Sequence, residues 1–138
     1  MLLCEHHILL IMIARKRPKG LVLTVEPPLG EQITAMMEAA NWDCEVVGTP
    51  EKALARLKAA HFDVLMTNYK LPQLPQGNAL HFISCLRQEG ITVPAIVISE
   101  DGEVLRTVPK EALNIPAVLR QPFTASELGA ALGDLSVV

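Results

Sequence analysis

The chain has 138 residues, of which 50% are hydrophobic, 4% are aromatic and 20% are charged, and its formal net charge is −3. This length predicts one domain that buries a core without disulfides or structural metals. Because basic residues are not in excess, the composition argues against nucleic-acid binding by this domain.

The residues that commonly bind metals are spread along the chain. Cys4, Cys44 and Cys85 form no C-x-x-C pair, which indicates reduced thiols and a cytoplasmic setting. The four histidines also lack metal-ligand spacing. We therefore expect no metal site built from these residues.

Residues 1–19 differ from the rest and form a predicted N-terminal extension to a domain spanning residues 20–136. An apolar run, Ile8–Ile13, precedes a basic cluster at Arg15–Lys19. The run is too short to span a bilayer and the charge lies on the wrong side for a signal peptide, so we expect no transmembrane segment. Three interpretations stay open: a helix or strand packed on the domain, a membrane-surface or partner-binding segment, or the end of an upstream region.

Five apolar runs in residues 20–136 have the length of buried β-strands. These predicted strands are Leu21–Val25, Cys44–Val47, Val64–Thr67, Pro94–Ile98 and Ala117–Leu119. Apolar residues between and after the runs recur at helical spacing. The predicted inward positions are Ile33, Met36, Met37 and Ala40 in the first helix, Ala53, Leu54, Leu57 and Ala60 in the second, Leu80, Ile83 and Leu86 in the third, and Leu128, Ala131, Leu132 and Leu135 in the last.

Local signals support the helix boundaries. Thr49 and Thr124 each have the character of an N-cap, and Glu127 completes a capping box with Thr124. The fourth helical region, between Glu100 and Leu113, has a weak pattern that is interrupted by Pro109.

The alternation of strands and helices predicts an α/β fold of the (βα)₅ type, with a doubly wound parallel sheet in a three-layer α/β/α sandwich. In such sheets ligands bind beyond the carboxyl ends of the central strands, where Asn68 lies. No glycine-rich phosphate-binding motif follows any strand, and no catalytic triad is indicated. We therefore expect no enzymatic activity.

Four segments carry a resemblance to a known family. They are GLVLTVEPP at the first strand, FDVLMTNYKLP at the third, AIVIS at the fourth and LRQPF at the fifth. Together they make the region from about Gly20 to Leu135 similar to the receiver domains of two-component response regulators. The resemblance implies a flavodoxin-like, CheY-like sheet with strand order 2-1-3-4-5.

The resemblance also assigns positions to the family's phosphorylation site. The phosphoacceptor aspartate corresponds to Asn68, the acidic pair to Val25 and Glu26, the hydroxyl position to Ser99 and the lysine to Gln121. The switch aromatic corresponds to Val118. An amide lacks the nucleophilicity of a carboxylate, so phosphorylation of Asn68 is not expected.

The same substitutions weaken the expected cofactor site. The family implies Mg²⁺, which requires several oxygen ligands, yet Glu26 is the one carboxylate left in the acid pair and acceptor position. Gln121 removes the cation that would neutralise a phosphoryl group. We therefore expect no cofactor and lost or weak Mg²⁺ binding. Asn68, Ser99 and Gln121 are predicted to satisfy one another by hydrogen bonds, or alternatively to form a remodelled ligand pocket.

The leading functional hypothesis is a degenerate receiver, or pseudo-receiver, that acts as a phosphorylation-independent protein-interaction module in phosphorelay signal transduction, with its output through binding by the domain itself. The expected partner is a histidine kinase, an output protein or a second copy, bound at the face of the fourth helix, fifth strand and fifth helix. One alternative is a small-ligand sensor at Asn68, with a rim reshaped by the loop at Pro72–Gly77. Another is residual phosphoryl acceptance at Ser99 or Thr67.

Overall fold

The predicted alternation of strands and helices is present in the computed structural model, which describes residues 17–74 and 77–135. The strands are β1 Lys19–Leu23, β2 Asp43–Val47, β3 Val64–Asn68, β4 Ala95–Ser99 and β5 Ala117–Arg120. The helices are α1 Pro27–Ala39, α2 Pro50–Ala59, α3 Ala79–Gln88, α4 Gly102–Arg106, α5 Lys110–Leu113 and α6 Ala125–Gly133. The apolar run at Ile8–Ile13 and the proline at position 75 lie outside the described residues.

All neighbouring strands are parallel, and their order is β2-β1-β3-β4-β5. Two apolar clusters cover the two faces of the sheet. One contains Met37 of α1 and Leu128 of α6, and the other contains Ile83 of α3 and Leu105 of α4. The predicted three-layer fold and strand order are therefore confirmed. Within the described part of the chain, no helix is long and apolar enough to cross a membrane.

Side-chain caps fix the start of several helices. The Thr49 hydroxyl accepts a hydrogen bond from the Lys52 backbone N–H, and Pro50 occupies the first helical turn. Thr124 and Glu127 form the predicted capping box, with reciprocal bonds of 2.9 and 3.1 Å. These caps satisfy backbone donors that have no partner within the helix.

The end of β1 differs from the prediction. The strand ends at Leu23 rather than Val25, because the Thr24 hydroxyl accepts a bond of 3.1 Å from the Glu26 N–H and the chain turns into α1. At the other end of α1, Ala40 is exposed and caps the helix instead of facing the core, so its predicted inward position was wrong.

The predicted fourth helix is two short helices, α4 and α5, separated by a segment that contains Pro109. Asp101 caps α4 by accepting from the backbone N–H groups of Glu103 and Val104. Pro109 lacks an N–H and restricts its own backbone, which explains the interruption. The expected irregularity of this region is therefore confirmed.

Arg87 ties the end of α3 to the segment that leads into β5. Its guanidinium donates to the carbonyl oxygens of Ile91 and Leu113 at 2.8 Å each and of Asn114 at 3.2 Å. Burial lowers the pKa of Arg87 from its ordinary value. Asn114 adopts the left-handed conformation, with φ of 54°, directly after α5. Arg87 thus links Ile91, in the segment that follows α3, to the end of α5 at Leu113 and Asn114.

Candidate functional site

A cavity of about 180 Å³ lies at the carboxyl ends of β3, β4 and β5. Four of the predicted site residues line it together: Glu26, Asn68, Ser99 and Gln121. This is the edge at which parallel α/β sheets bind ligands. A larger groove at the opposite edge contains the His61–Asp63 pair but none of the predicted site residues.

Two other predicted positions lie elsewhere. Val25 follows the end of β1 with 43% of its surface exposed, and it is not among the residues that line the cavity. Val118 lies in β5, where it packs against the apolar cluster that contains Ile83 and Leu105. Val118 is likewise not among the residues that line the cavity.

Asn68 is the last residue of β3, and only 8% of its surface is exposed. Its amide nitrogen donates to the Glu26 carboxylate at 3.0 Å and to the Thr24 hydroxyl at 3.2 Å. An ionised carboxylate only accepts hydrogen bonds, so the pairing with Glu26 requires the nitrogen, not the oxygen, on the β1 side. The orientation of the amide is therefore fixed by its neighbours.

The oxygen of the same amide has no partner. Oδ1 of Asn68 is buried, and no hydrogen-bond donor reaches it from the described residues. Leaving a buried acceptor unpaired costs about 1–3 kcal/mol. A cost of this kind is unusual in a folded protein.

The prediction that Asn68, Ser99 and Gln121 satisfy one another by hydrogen bonds is therefore wrong. Ser99 does not bond to Asn68 in the described structure; its hydroxyl accepts from the Asp101 N–H at 3.0 Å. Gln121 reaches Ser99 through the backbone, where its N–H donates to the Ser99 carbonyl at 2.8 Å. Asn68 is turned instead toward β1, since the loop after that strand supplies its partners.

Thr24 is a site residue that the sequence reasoning missed. It is 4% exposed, and its hydroxyl accepts from both the Glu26 backbone and the Asn68 side chain. A threonine two residues before an acidic residue that is followed by two prolines is a signal for a local side-chain turn. That signal predicts the turn but not the contact with Asn68.

The donors at this site do not fit Mg²⁺. A magnesium ion needs several oxygen ligands in octahedral geometry. Beside the Glu26 carboxylate, Asn68 presents its nitrogen, and its oxygen is buried without a partner. Across residues 17–74 and 77–135, no cluster of three or more carboxylate, histidine or cysteine side chains is arranged to hold a metal ion.

Comparison with known proteins places this geometry in context. No protein-family model matches the chain. The probable transcriptional regulatory protein y4xI of Sinorhizobium fredii is 26% identical over 113 residues, which cover 82% of this chain and 49% of that protein. The chain thus spans about half the length of this curated relative.

Solved structures are more similar in shape than in sequence. A sensor protein from Polaromonas sp. JS666 has a TM-score of 0.76 at 19% identity, covering 86% of this chain and 95% of its own. The receiver domain of Francisella response regulator 1452 has a TM-score of 0.74 at 22% identity with the same coverage. A putative response regulator from Chloroflexus aurantiacus has a TM-score of 0.76 at 18% identity, covering 88% and 100%. The chain therefore has the fold of CheY-like receiver domains.

Proposed function

We propose that this chain is a degenerate receiver domain of two-component signalling that acts as a protein-interaction module without being phosphorylated. The observation that carries the proposal is the position of Asn68. It occupies the end of the central strand, where the resemblance puts the phosphoacceptor, and its amide nitrogen is committed to Glu26 and Thr24. An amide in this position offers no carboxylate nucleophile.

The surrounding charges support the same conclusion. Gln121 lines the cavity where the resemblance places a lysine, so no ammonium group from that position neutralises a bound phosphoryl group. Glu26 faces the site with a carboxylate that would repel one. We accordingly propose that the domain works without Mg²⁺ or another cofactor. Separately, we propose a cytoplasmic location.

A domain without a phosphorylation signal changes state only if a partner prefers one of its conformations. We assign the partner surface to α4, α5, β5 and α6, the structural equivalent of the predicted face. On α6 the outward positions include Gly129, Ala130 and Gly133, and on β5 the side chain of Arg120 is exposed. This surface suits a histidine kinase, an output protein or a second copy.

The test is intact-mass measurement and thermal melting with and without acetyl phosphate and Mg²⁺. The native chain is compared with a variant that carries Asn68→Asp, Val25→Asp and Gln121→Lys. The single Gln121→Lys variant is the matched control, because it adds the cation without an acceptor. We expect a phosphoryl mass shift in the triple variant only. A phosphoryl adduct on the native chain would refute the proposal.

A second candidate function is small-ligand sensing in the cavity beside Asn68. The unpaired Oδ1 atom favours it, since a ligand would supply the missing donor. Residual phosphoryl acceptance has less support. Thr67 is fully buried and its hydroxyl donates to the Asn68 carbonyl at 3.0 Å, while the hydroxyl of Ser99 is engaged with Asp101.

A further inference from the structure

We propose that the larger groove, at the amino edge of the sheet, is the docking site of the chain's own apolar run, Ile8–Ile13. Arg15 and Lys16, which follow the run, then lie at the carboxyl end of α6. The groove and the cavity beside Asn68 lie at opposite edges of the sheet, so the inference goes beyond the proposed function.

The groove has the size and surface that an apolar segment needs. Its volume is about 760 Å³, and it crosses the amino ends of β3, β4 and β5. Ligand-binding clefts typically have volumes of about 300–1,000 Å³. Five half-buried apolar side chains line the groove: Leu57, Ile91, Val93, Pro94 and Pro116. Because removing apolar surface from water is favourable, these side chains suit an apolar partner.

The chain enters the fold at the border of this groove. The Lys19 N–H, at the start of β1, donates to the Asp63 carboxylate at 2.9 Å, and Asp63 lines the groove. From β1 to the far side of the groove at β5 is three strand spacings, or about 14 Å. The 11 residues from Ile8 to Pro18 span about 36 Å when extended and about 16 Å as a helix. In either conformation this length is sufficient to cross the groove.

Arg17 shows how a basic residue of this part of the chain acts at a helix end. Its guanidinium donates to the carbonyl oxygens of Glu38 and Trp42 at 3.2 and 3.1 Å, at the carboxyl end of α1. The last turn of α1 has no basic residue of its own. Since the carboxyl end of a helix carries partial negative charge, Arg17 supplies a cation that α1 lacks.

The end of α6, which packs beside α1, presents the same requirement. Its last turn has no basic residue, and Asp134 follows it as the C-cap. Within residues 17–74 and 77–135, Asp134 forms no salt bridge. By contrast, α2 and α3, which also end at the groove, have basic residues in their last turns. Asp134 lines the groove, so Arg15 and Lys16 complement the charge at this helix end.

The experiment measures paramagnetic broadening in the full chain. A nitroxide attached to Cys4 reports the position of the segment once Cys44 and Cys85 have been replaced by alanine, and a melting curve establishes that this background is folded. We expect the Thr92 amide, in the groove, to lose most of its NMR intensity relative to the reduced nitroxide. The Ser99 amide, at the opposite edge of the sheet, should keep its intensity. Equal intensities at Thr92 with and without the unpaired electron would overturn the proposal.

Two matched pairs of substitutions test the run itself. Leu10→Asp with Ile11→Asp places charge inside the run, and Leu2→Asp with Leu3→Asp makes the same change outside it. The first pair should abolish the broadening at Thr92. With all native cysteines present, it should also lower the melting temperature by about 5 °C or more, because apolar side chains return to water. The second pair should change neither quantity. Broadening that persists in the first pair, or an equal loss in both pairs, would refute docking of the run.

A charge reversal tests the contact with α6. Asp134→Lys repels Arg15 and Lys16 and should weaken the broadening at Thr92. Adding Arg15→Glu and Lys16→Glu should restore it, because the attraction then has the opposite sign. A change in helix stability alone would not respond to the charge of the segment. Broadening that is the same in all these variants would refute the placement of the basic pair at α6.

A mixed sample shows which copy of the chain supplies the segment. Chains that carry the nitroxide but no ¹⁵N are mixed with ¹⁵N-labelled chains that carry no nitroxide. We expect no broadening at Thr92 in this mixture, because the short connection to β1 gives the chain's own segment a high effective concentration at the groove. Broadening in the mixture would assign the groove to the segment of a second copy and overturn the proposal.

Discussion

Replacing Asn68 with aspartate is the sharpest test of how the site is held together. The substitution changes one atom group, yet it converts a donor that faces Glu26 into a second carboxylate. The hydrogen bond of 3.0 Å becomes a contact between like charges at a position that is only 8% exposed. We expect Asn68→Asp to destabilise the protein at neutral pH.

The magnitude follows from the distance. Two unit charges separated by 3.0 Å repel by roughly 5.5 kcal/mol at an effective dielectric constant of 20 and by roughly 1.4 kcal/mol in water. Glu26 is exposed, so the repulsion lies nearer the lower figure. Loss of a hydrogen bond to a charged group adds about 1.5–3 kcal/mol, and the two effects overlap. We expect a loss of about 2–4 kcal/mol in the free energy of unfolding.

The assay is urea unfolding of the parent and the variant across a pH range. Burial and the adjacent charge raise the pKa of the new carboxyl group above its ordinary value of about 3.9. A raised acid pKa means that the folded state binds more protons, so stability falls as pH rises from the ordinary value through the raised one. The difference between variant and parent should therefore be full at neutral pH and shrink as the solution is acidified.

The control places Asn68→Asp in a Glu26→Gln background. Without the Glu26 charge the repulsion is absent, and a glutamine amide can donate to the new carboxylate. The cost of the aspartate should then fall by at least half, which a double-mutant cycle measures. If Asn68→Asp unfolds at the parent's urea concentration at neutral pH, or costs as much in the Glu26→Gln background, the amide orientation inferred here is wrong.

Three further predictions concern stability. Arg87→Met keeps the aliphatic bulk but leaves three carbonyls without their cation, so urea unfolding should show a loss of about 2–4 kcal/mol that Arg87→Lys restores only in part. Arg56 donates to the Glu45 carboxylate at 2.6 and 3.1 Å and lowers the pKa of Glu45. Glu45→Gln should therefore reduce the melting temperature at neutral pH but not once acid has protonated Glu45. An equal reduction at about pH 3 would contradict this. Gly129→Ala adds a methyl group where no atom lies within 4 Å and should stabilise α6 by about 0.8–1 kcal/mol in the same assay; a decrease would show that the outer face is packed.

The parts of the fold that could be predicted depend on local or periodic signals. The strands are apolar runs, and Thr49 and Thr124 start their helices through contacts with residues only three positions ahead. The end of β1 could not be placed in this way. Leu21–Val25 reads as continuous strand, and the hydroxyl of Thr24, rather than any change in hydrophobicity, ends it.

The sequence predicts which residues lie at the site but not which hydrogen bonds Asn68 forms there. The ends of parallel strands meet at one edge, so the topology alone brings Asn68, Ser99 and Gln121 to one cavity. The partners of Asn68 lie 42 and 44 residues away in sequence, at Glu26 and Thr24. Which neighbour an amide chooses depends on the loop that follows β1, and no pattern in the sequence specifies that loop's path.

Arg87 and Asp101 also mark the ends of a segment, α4–α5, whose local stability can differ from that of the central sheet. Asp101 fixes one end of the α4–α5 segment, and Arg87 fixes the other at Leu113 and Asn114. Between them α5 has no buried residue. Leu105 and Val108 keep the first part of the segment in the core, whereas α5 can open while the sheet stays intact, so the amides of α5 should exchange with solvent as a separate unit of low local stability. A binding partner could then order this region without any cost to the central strands.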